Sequence, residues 1–106
     1  MLRFREQPYA LVGDIRKMFQ MVKLKPGITQ HVHRCLWRFC DPNSKPEEYV
    51  LTTVTFGDRC APTIANLALK NTADLSKNDF PEAAQVIQDN SFVDDIGDSL
   101  VSREEM

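Results

Sequence analysis

Three aspartates stand where the chain is expected to turn, and carboxylates at such positions are candidates for binding a metal ion. Asp14 follows the apolar run YALVG, and the pair Asp94-Asp95 follows SFV. Two carboxylates at a turn are commonly solvated turn formers. The alternative is a site for a hard cation, because Mg²⁺ takes few protein carboxylates and completes its shell with water and substrate phosphates. Two such ions, about 3.5–4 Å apart, can polarise the attacking and the leaving oxygen in phosphoryl transfer.

The secondary-structure elements around these aspartates determine whether their carboxylates can lie close together. Residues 9–13 predict a buried strand that ends at Asp14. Residues 91–93 and 96–101 predict two further strands, with Asp94-Asp95 as the acidic turn between them. Eighty positions separate Asp14 from Asp94. A shared site therefore requires the chain to fold back so that these strand ends converge.

The segments between them predict an α+β chain. Residues 15–21 have helical capacity, and residues 31–39 and 48–56 predict two strands of an antiparallel hairpin around the loop 41–46. After Gly57, small residues recur at spacings of three and four and predict a helix, and a second helix begins at Pro81. The resulting order is β, short α, β, β, α, α, β, β, which is typical of an α+β fold with a mostly antiparallel sheet.

Composition describes an ordinary single domain. The chain has 106 residues, of which 42% are apolar and 26% charged, and a chain of this length can bury one modest core. No apolar run approaches the ~18 residues of a membrane span, and the first residues do not resemble a secretory signal, so we expect no membrane partner. Three cysteines argue against a disulfide framework and fit a reducing compartment.

The charge is distributed unevenly along the chain. Residues 1–40 carry eight Lys and Arg against two acids, and residues 41–106 carry five against thirteen. A basic half can face a polyanion and an acidic half can hold cations. Two differently charged solvated faces would give the same composition.

A group of histidines and cysteines offers a second metal hypothesis. His31, His33 and Cys35 have the same parity, so on a strand they point to one face, and Cys40 completes a candidate zinc set. Their spacing matches no common zinc signature. Because Trp37 and Phe39 continue the same face, the sequence favours a packed strand over a zinc site.

Three segments resemble the motifs of reverse transcriptases. LVGDIRKMF resembles motif A, TFGDRCAP followed by a helix resembles motif B, and SFVDD resembles motif C, the Tyr-x-Asp-Asp hairpin. The motifs stand in the family's order, and the surrounding segments LWRF and PEEYVLTTVTFG resemble the BEL/Pao class of LTR retrotransposon polyproteins. Phe92 replaces the motif C tyrosine and Ala61 replaces a common motif B serine. The resemblance covers nearly the whole chain.

The resemblance implies a fold and a function. The fold would be an antiparallel palm-type sheet packed on helices, with residues 1–106 forming a partial reverse transcriptase domain that keeps a fingers remnant at its N-terminus and lacks the thumb. The function would be that of a retrotransposon reverse transcriptase fragment, catalysing template-directed DNA synthesis by two-metal nucleotidyl transfer. The alternative is a catalytically inactive palm remnant that binds nucleic acid or protein weakly.

The resemblance also assigns the catalytic roles. Asp14 would be the motif A metal ligand, Asp94 the second metal-binding carboxylate and Asp95 the adjacent acid. The cofactor would be a pair of Mg²⁺ ions, for which Mn²⁺ can substitute. The partners would be an RNA or DNA template with its primer, a dNTP and the rest of the polyprotein, including fingers, thumb and RNase H. By family habit the protein would act in cytoplasmic particles or in the nucleus.

Further positions match nucleotide-binding residues of the family. Phe19 would be the steric gate that occupies the space of a ribose 2′-OH, and a plain core aromatic is its alternative. The backbone N–H groups of Ile15, Arg16 and Lys17 would lie under the triphosphate. Phe56 and Gly57 would flank the nascent base pair.

Overall fold

In the computed structural model, which describes residues 5–105, strands and helices follow the predicted order. Residues 1–4, part of the predicted fingers remnant, lie outside the described residues. The mixture of helices and antiparallel strands confirms the α+β prediction. The elements are β1 (Tyr9–Asp14), α1 (Met18–Met21), β2 (Arg34–Trp37), β3 (Glu47–Val50), α2 (Ala61–Ser76), α3 (Pro81–Asn90), β4 (Ser91–Phe92) and β5 (Asp95–Leu100), with 3₁₀ turns at Ile28–Val32 and Arg103–Glu105.

The described strands form two antiparallel sheets. The first has the order β1-β5-β4, so the first strand of the chain lies against the last one. All six residues of β1 pair with β5, from Tyr9 opposite Leu100 to Asp14 opposite Asp95. The second sheet is the hairpin of β2 and β3. The first sheet is therefore closed by a contact between distant parts of the sequence.

Helices α2 and α3 pack on each other, and α3 also contacts β4 and β5 of the first sheet. Each helix has a proline in its first turn. Proline lacks a backbone N–H, and the N–H groups of a first turn make no hydrogen bond within the helix, so none is lost. The side-chain amide of Gln88 on α3 donates to the carbonyl of Lys70 and to Asp74 on α2. The amide of Asn90, at the end of α3, donates to the Asp98 carboxylate of β5 at 3.0 Å. The Gln88 bonds hold α3 against α2, and the Asn90 bond holds its end against β5.

The core lies between α1, the segment that contains Val54, and the start of α2. Met18, Phe19, Val54, Ala61 and Ala65 are its buried members, and Ala65 is fully buried at 0% exposure. The radius of gyration is 18.9 Å, whereas a compact domain of this length has about 13 Å. The chain is elongated, and the β2–β3 hairpin contacts mainly itself.

Two strand predictions are wrong in their extent. The strand predicted over 48–56 ends at Val50, because the following residues pair with the segment 22–24 instead. The N–H of Leu24 donates to the carbonyl of Thr52 at 2.9 Å, and the N–H of Val54 donates to Val22 at 3.0 Å. This pairing places Val54 in the core at 4% exposure.

The strand predicted over 31–39 is also shorter than expected. Residues 28–32 form a 3₁₀ turn and β2 begins only at Arg34. It ends at Trp37, and Phe39 and Cys40 then take left-handed conformations with φ of 52° and 61°. The extended pattern cannot continue through such residues. Among the described helices, none combines the length and the apolar character needed to cross a membrane.

We predict that Ala61→Leu destabilises the fold by about 1–3 kcal/mol, because Ala61 is buried in the core cluster at 1% exposure and a larger side chain must displace its neighbours. The free energy of unfolding, measured by urea denaturation, checks this value. Thr63→Leu, on an exposed position of the same helix, is the matched control and should change stability by less than about 0.5 kcal/mol. Equal effects at both positions would contradict the described core.

Candidate functional site

The ends of β1 and β5 bring two aspartates face to face. Asp14 is the register partner of Asp95, and the N–H of Ile15 donates to the carbonyl of Asp94 at 2.8 Å. In an antiparallel pair this bond makes Asp14 and Asp95 a non-hydrogen-bonded pair, the position at which opposite side chains approach most closely. The chain therefore folds back across the eighty positions between Asp14 and Asp94.

Both aspartates lie on the sheet face that α3 leaves uncovered. Side chains alternate along a strand, so Val12 and Asp14 share one face with Asp95, and Asp98 lies on the other. Asp98 is bonded to α3 through Asn90, which identifies its face as the covered one. Val12 is 68% exposed. The two carboxylates thus stand at one end of an open, otherwise uncharged face.

The donor set fits a hard cation. Like charges directly opposite each other in a sheet are destabilising, by roughly 0.2–1 kcal/mol, and a bound cation removes this repulsion. Magnesium sites commonly use one or two carboxylates together with substrate phosphates. Within residues 5–105, no three His, Cys, Asp or Glu side chains gather into a group that could hold a metal ion. A cation at Asp14 and Asp95 would therefore complete its shell with water and substrate.

The register distinguishes the two acids of the hairpin. The family resemblance gives the metal-binding role to Asp94 and a secondary role to Asp95. In the structure Asp95 is the direct neighbour of Asp14, whereas Asp94 lies in the turn and offers its carbonyl to Ile15. The predicted acidic turn is thus shifted by one residue, because Val93 and Asp94 form the two-residue loop.

The tip of this hairpin is strained. Val93 has a φ of 58°, a left-handed conformation that β-branched residues rarely adopt. Two-residue hairpin loops need a positive φ and normally place Gly, Asn or Asp there. The Val93 side chain packs against the core cluster, and this packing holds the strained backbone in place. Each such backbone conformation costs about 1–3 kcal/mol of stability, and these conformations cluster at active sites and ligand clamps.

The residues predicted to lie under a triphosphate follow Asp14 directly. The N–H of Ile15 is already bonded to Asp94, so it does not serve as an anion donor. Arg16 and Lys17 are exposed, and Lys17 turns the chain into α1 with a φ of 57°. These two side chains therefore carry positive charge directly after Asp14 in the chain.

The two aromatic residues predicted to contact the nucleotide are in contact with each other. The ring centroids of Phe19 and Phe56 lie 4.8 Å apart, at an angle of 47°. Phe19 belongs to the core at 9% exposure, and Phe56 covers it while remaining 62% exposed. Gly57 follows with a φ of 89°, a conformation that glycine adopts without strain. Phe19 thus has the environment of a core aromatic.

The histidines of the alternative zinc hypothesis have other partners. The Nε2 atom of His33 lies 2.6 Å from the Asp58 carboxylate, and this pair links the start of β2 to the loop before α2. The Nδ1 atom of His31 lies 2.9 Å from the guanidinium of Arg34, which also pairs with Glu48. No pattern in the sequence indicated the His33–Asp58 pair, because its members belong to different elements.

The face of β2 that was expected to pack is exposed instead. Trp37 is 50% exposed and Phe39 71% exposed, so the prediction of a packed strand is wrong here. Their rings lie 6.3 Å apart, and Phe39 lies 6.4 Å from Tyr49 on the neighbouring strand. The Tyr49 hydroxyl donates to Glu47 at 2.9 Å, and this bond to a carboxylate raises the pKa of Tyr49. The hairpin therefore carries an aromatic surface of its own.

Comparison with known proteins returns no relative. The chain matches no family model, no curated protein and no solved structure.

We predict that Asp95→Asn stabilises the fold by roughly 0.2–1 kcal/mol in a buffer without divalent cations, because it removes the like-charge repulsion with Asp14. Urea denaturation at neutral pH and low ionic strength measures the difference. Glu6→Gln, which neutralises an exposed acid outside the elements, is the control and should leave stability within about 0.5 kcal/mol. A clear loss of stability in Asp95→Asn would show that the two carboxylates do not repel each other.

Proposed function

We propose that the chain is the palm region of an RNA-directed DNA polymerase of the reverse transcriptase type, from a BEL/Pao-like retrotransposon polyprotein. The observation that carries the proposal is the pairing of Asp14 with Asp95. The two strands that meet there, β1 and β5, carry the segments that resemble motif A and motif C. Acidic residues drawn from those motifs onto one open sheet face are what a palm-type sheet requires.

The aspartates would hold the metal ions of the reaction. Asp14 and Asp95 provide carboxylates from two strands, and Asp94 is available at the turn between β4 and β5. When bound, two Mg²⁺ ions stabilise the attacking primer oxygen and the leaving oxygen of the dNTP. The β1–β5 ladder keeps the two carboxylates close, so the binding site is formed before substrate arrives.

The residues after Asp14 would bind the triphosphate. Arg16 and Lys17 follow Asp14 in the chain and are exposed, and positive side chains near the acidic pair would offset the negative charge of an incoming nucleotide. The uncovered face of the first sheet gives a template and primer access to the carboxylates. A polymerase also needs fingers and thumb to position the duplex, so the remaining polyprotein, with its RNase H, is the expected partner. The expected site of action is the cytoplasmic particle or the nucleus.

A second candidate function is favoured by the contact between Phe19 and Phe56. A steric gate must face the sugar of the nucleotide, whereas Phe19 is 9% exposed and lies beneath Phe56. This arrangement fits a catalytically inactive palm remnant in which Phe19 has become part of the core. Such a protein would bind nucleic acid or protein weakly and would transfer no nucleotide.

Primer extension separates the two functions. On a primed RNA template with dNTPs and Mg²⁺, we expect no extension by residues 1–106 alone, because fingers and thumb must position the duplex. In a polypeptide that also carries fingers and thumb, we expect primer extension, and Asp14→Asn should reduce its rate by more than about 100-fold, the scale of losing one electrostatic contribution to the transition state. Glu6→Gln is the charge-matched control and should retain the wild-type rate. Equal background rates in all three proteins would favour the inactive remnant.

Metal binding can be measured without catalysis. We expect Mn²⁺ to broaden the backbone amide NMR signals of Asp14, Ile15, Asp94 and Asp95 selectively, because a paramagnetic ion held by the carboxylates lies close to these amides. Asp14→Asn should weaken the broadening, and Glu6→Gln should not. If Mn²⁺ broadens signals of exposed acids throughout the chain equally, the aspartate pair is not a metal site.

A further inference from the structure

The outer edge of β1 is a row of backbone groups with no strand beside it. In the part of the chain that the structure describes, the sheet order β1-β5-β4 makes β1 an edge strand. Its residues carry no charge until Asp14, and Ala10, Val12 and Asp14 are exposed. Natural edge strands are usually protected by lysine, proline, a bulge or a covering element. β1 has no lysine, proline or bulge.

The register shows which backbone groups point outward. Because the N–H of Ile15 donates to Asp94 while Asp14 stands opposite Asp95, the odd-numbered residues of β1 bond to β5. The N–H and C=O groups of Ala10, Val12 and Asp14 then point away from β5, along the free edge. Three donors and three acceptors with the spacing of a strand are what another extended chain would pair with.

We propose that β1 pairs antiparallel with β1 of a second copy of this chain, about a two-fold axis at Val12. In this register Val12 stands opposite the partner's Val12, and Ala10 stands opposite the partner's Asp14. About six backbone hydrogen bonds form, two at each of the three opposed positions. The sheets of the two copies join into one continuous sheet.

The sequence and exposure of β1 fit a second copy as the occupant. The proposed contact would be isologous, so that one surface serves both partners, as in most protein dimers. The register also avoids any like-charge pair, because each Asp14 faces an uncharged Ala10 across the axis. At the same time it covers Val12, which is 68% exposed in the single chain, with an identical β-branched side chain.

The test is the oligomeric state, measured by sedimentation equilibrium over a range of concentrations. We expect the wild type to shift from one chain to two as concentration rises. Val12→Pro removes the outward N–H at the axis without removing a bond to β5, and proline is tolerated on such an edge, so this variant should stay monomeric. Val12→Thr keeps the N–H and the branched side chain and should still dimerise. A wild type that stays monomeric at all concentrations overturns the proposal.

Charge substitutions test the register and do not depend on proline. Val12→Lys places two lysines opposite each other and should weaken dimerisation at least tenfold at low ionic strength. Ala10→Lys places each lysine opposite the partner's Asp14 and should preserve or strengthen it. Equal weakening by both variants, or by neither, overturns this register.

Hydrogen exchange locates the contact. In the dimer, the amides of Ala10, Val12 and Asp14 should exchange more slowly than in Val12→Lys, in which the corresponding amides remain exposed. Protection that appears in the β2–β3 hairpin instead would mean that dimers form through the aromatic surface of Trp37, Phe39 and Tyr49. That result would overturn the proposal.

Discussion

The ladder between β1 and β5 is the constraint on which the candidate site depends. It joins residues near the two ends of the described chain, and its last pair sets Asp14 against Asp95. Each backbone hydrogen bond contributes roughly 0.5–1.5 kcal/mol net, so a six-residue ladder outweighs the repulsion of one like-charged pair. The sheet therefore holds together two carboxylates that would separate if they were free to move. Without this pairing, Asp14 and the acidic hairpin would be unrelated surface groups.

Two unfavourable features coincide at the end of this ladder. One is the opposed pair of carboxylates, and the other is the left-handed conformation of Val93 at the hairpin tip. An ordinary solvated turn would have neither, since a glycine or asparagine at the tip and one neutral side chain would remove both. Local choices that oppose stability are expected where a site serves a ligand. The coincidence favours a cation-binding role for the carboxylates over a role as simple turn formers.

Local patterns in the sequence predicted those features of the fold that depend only on residues near each other in the chain. The strand before Asp14, the prolines that begin α2 and α3 and the order of elements are all encoded within short segments. The burial predicted for that strand is wrong, because five of the six residues of β1 are exposed. The end of β3 could not be read in this way, because it follows from the burial of Val54 against α1 and from pairing with residues 22–24. The sequence also could not show that Asp95, and not Asp94, is the neighbour of Asp14. That choice depends on the position of the two-residue loop, and its strained residue is a valine, which no turn rule predicts. The His33–Asp58 pair joins separate elements, and no local spacing indicates it.

The proposed metal site and the proposed dimer contact both involve β1, but the metal site uses its side chains and the dimer contact uses its backbone groups. Backbone hydrogen bonds to a second copy lie in the plane of the sheet, whereas the carboxylates of Asp14 and Asp95 project from its uncovered face. Pairing at the edge therefore leaves that face open. It would also place the two acidic pairs on either side of the two-fold axis, separated by the strands that carry Val12. The two functions can thus be disrupted separately, because neutralising Asp14 leaves its backbone groups unchanged, and a proline at position 12 leaves both carboxylates in place.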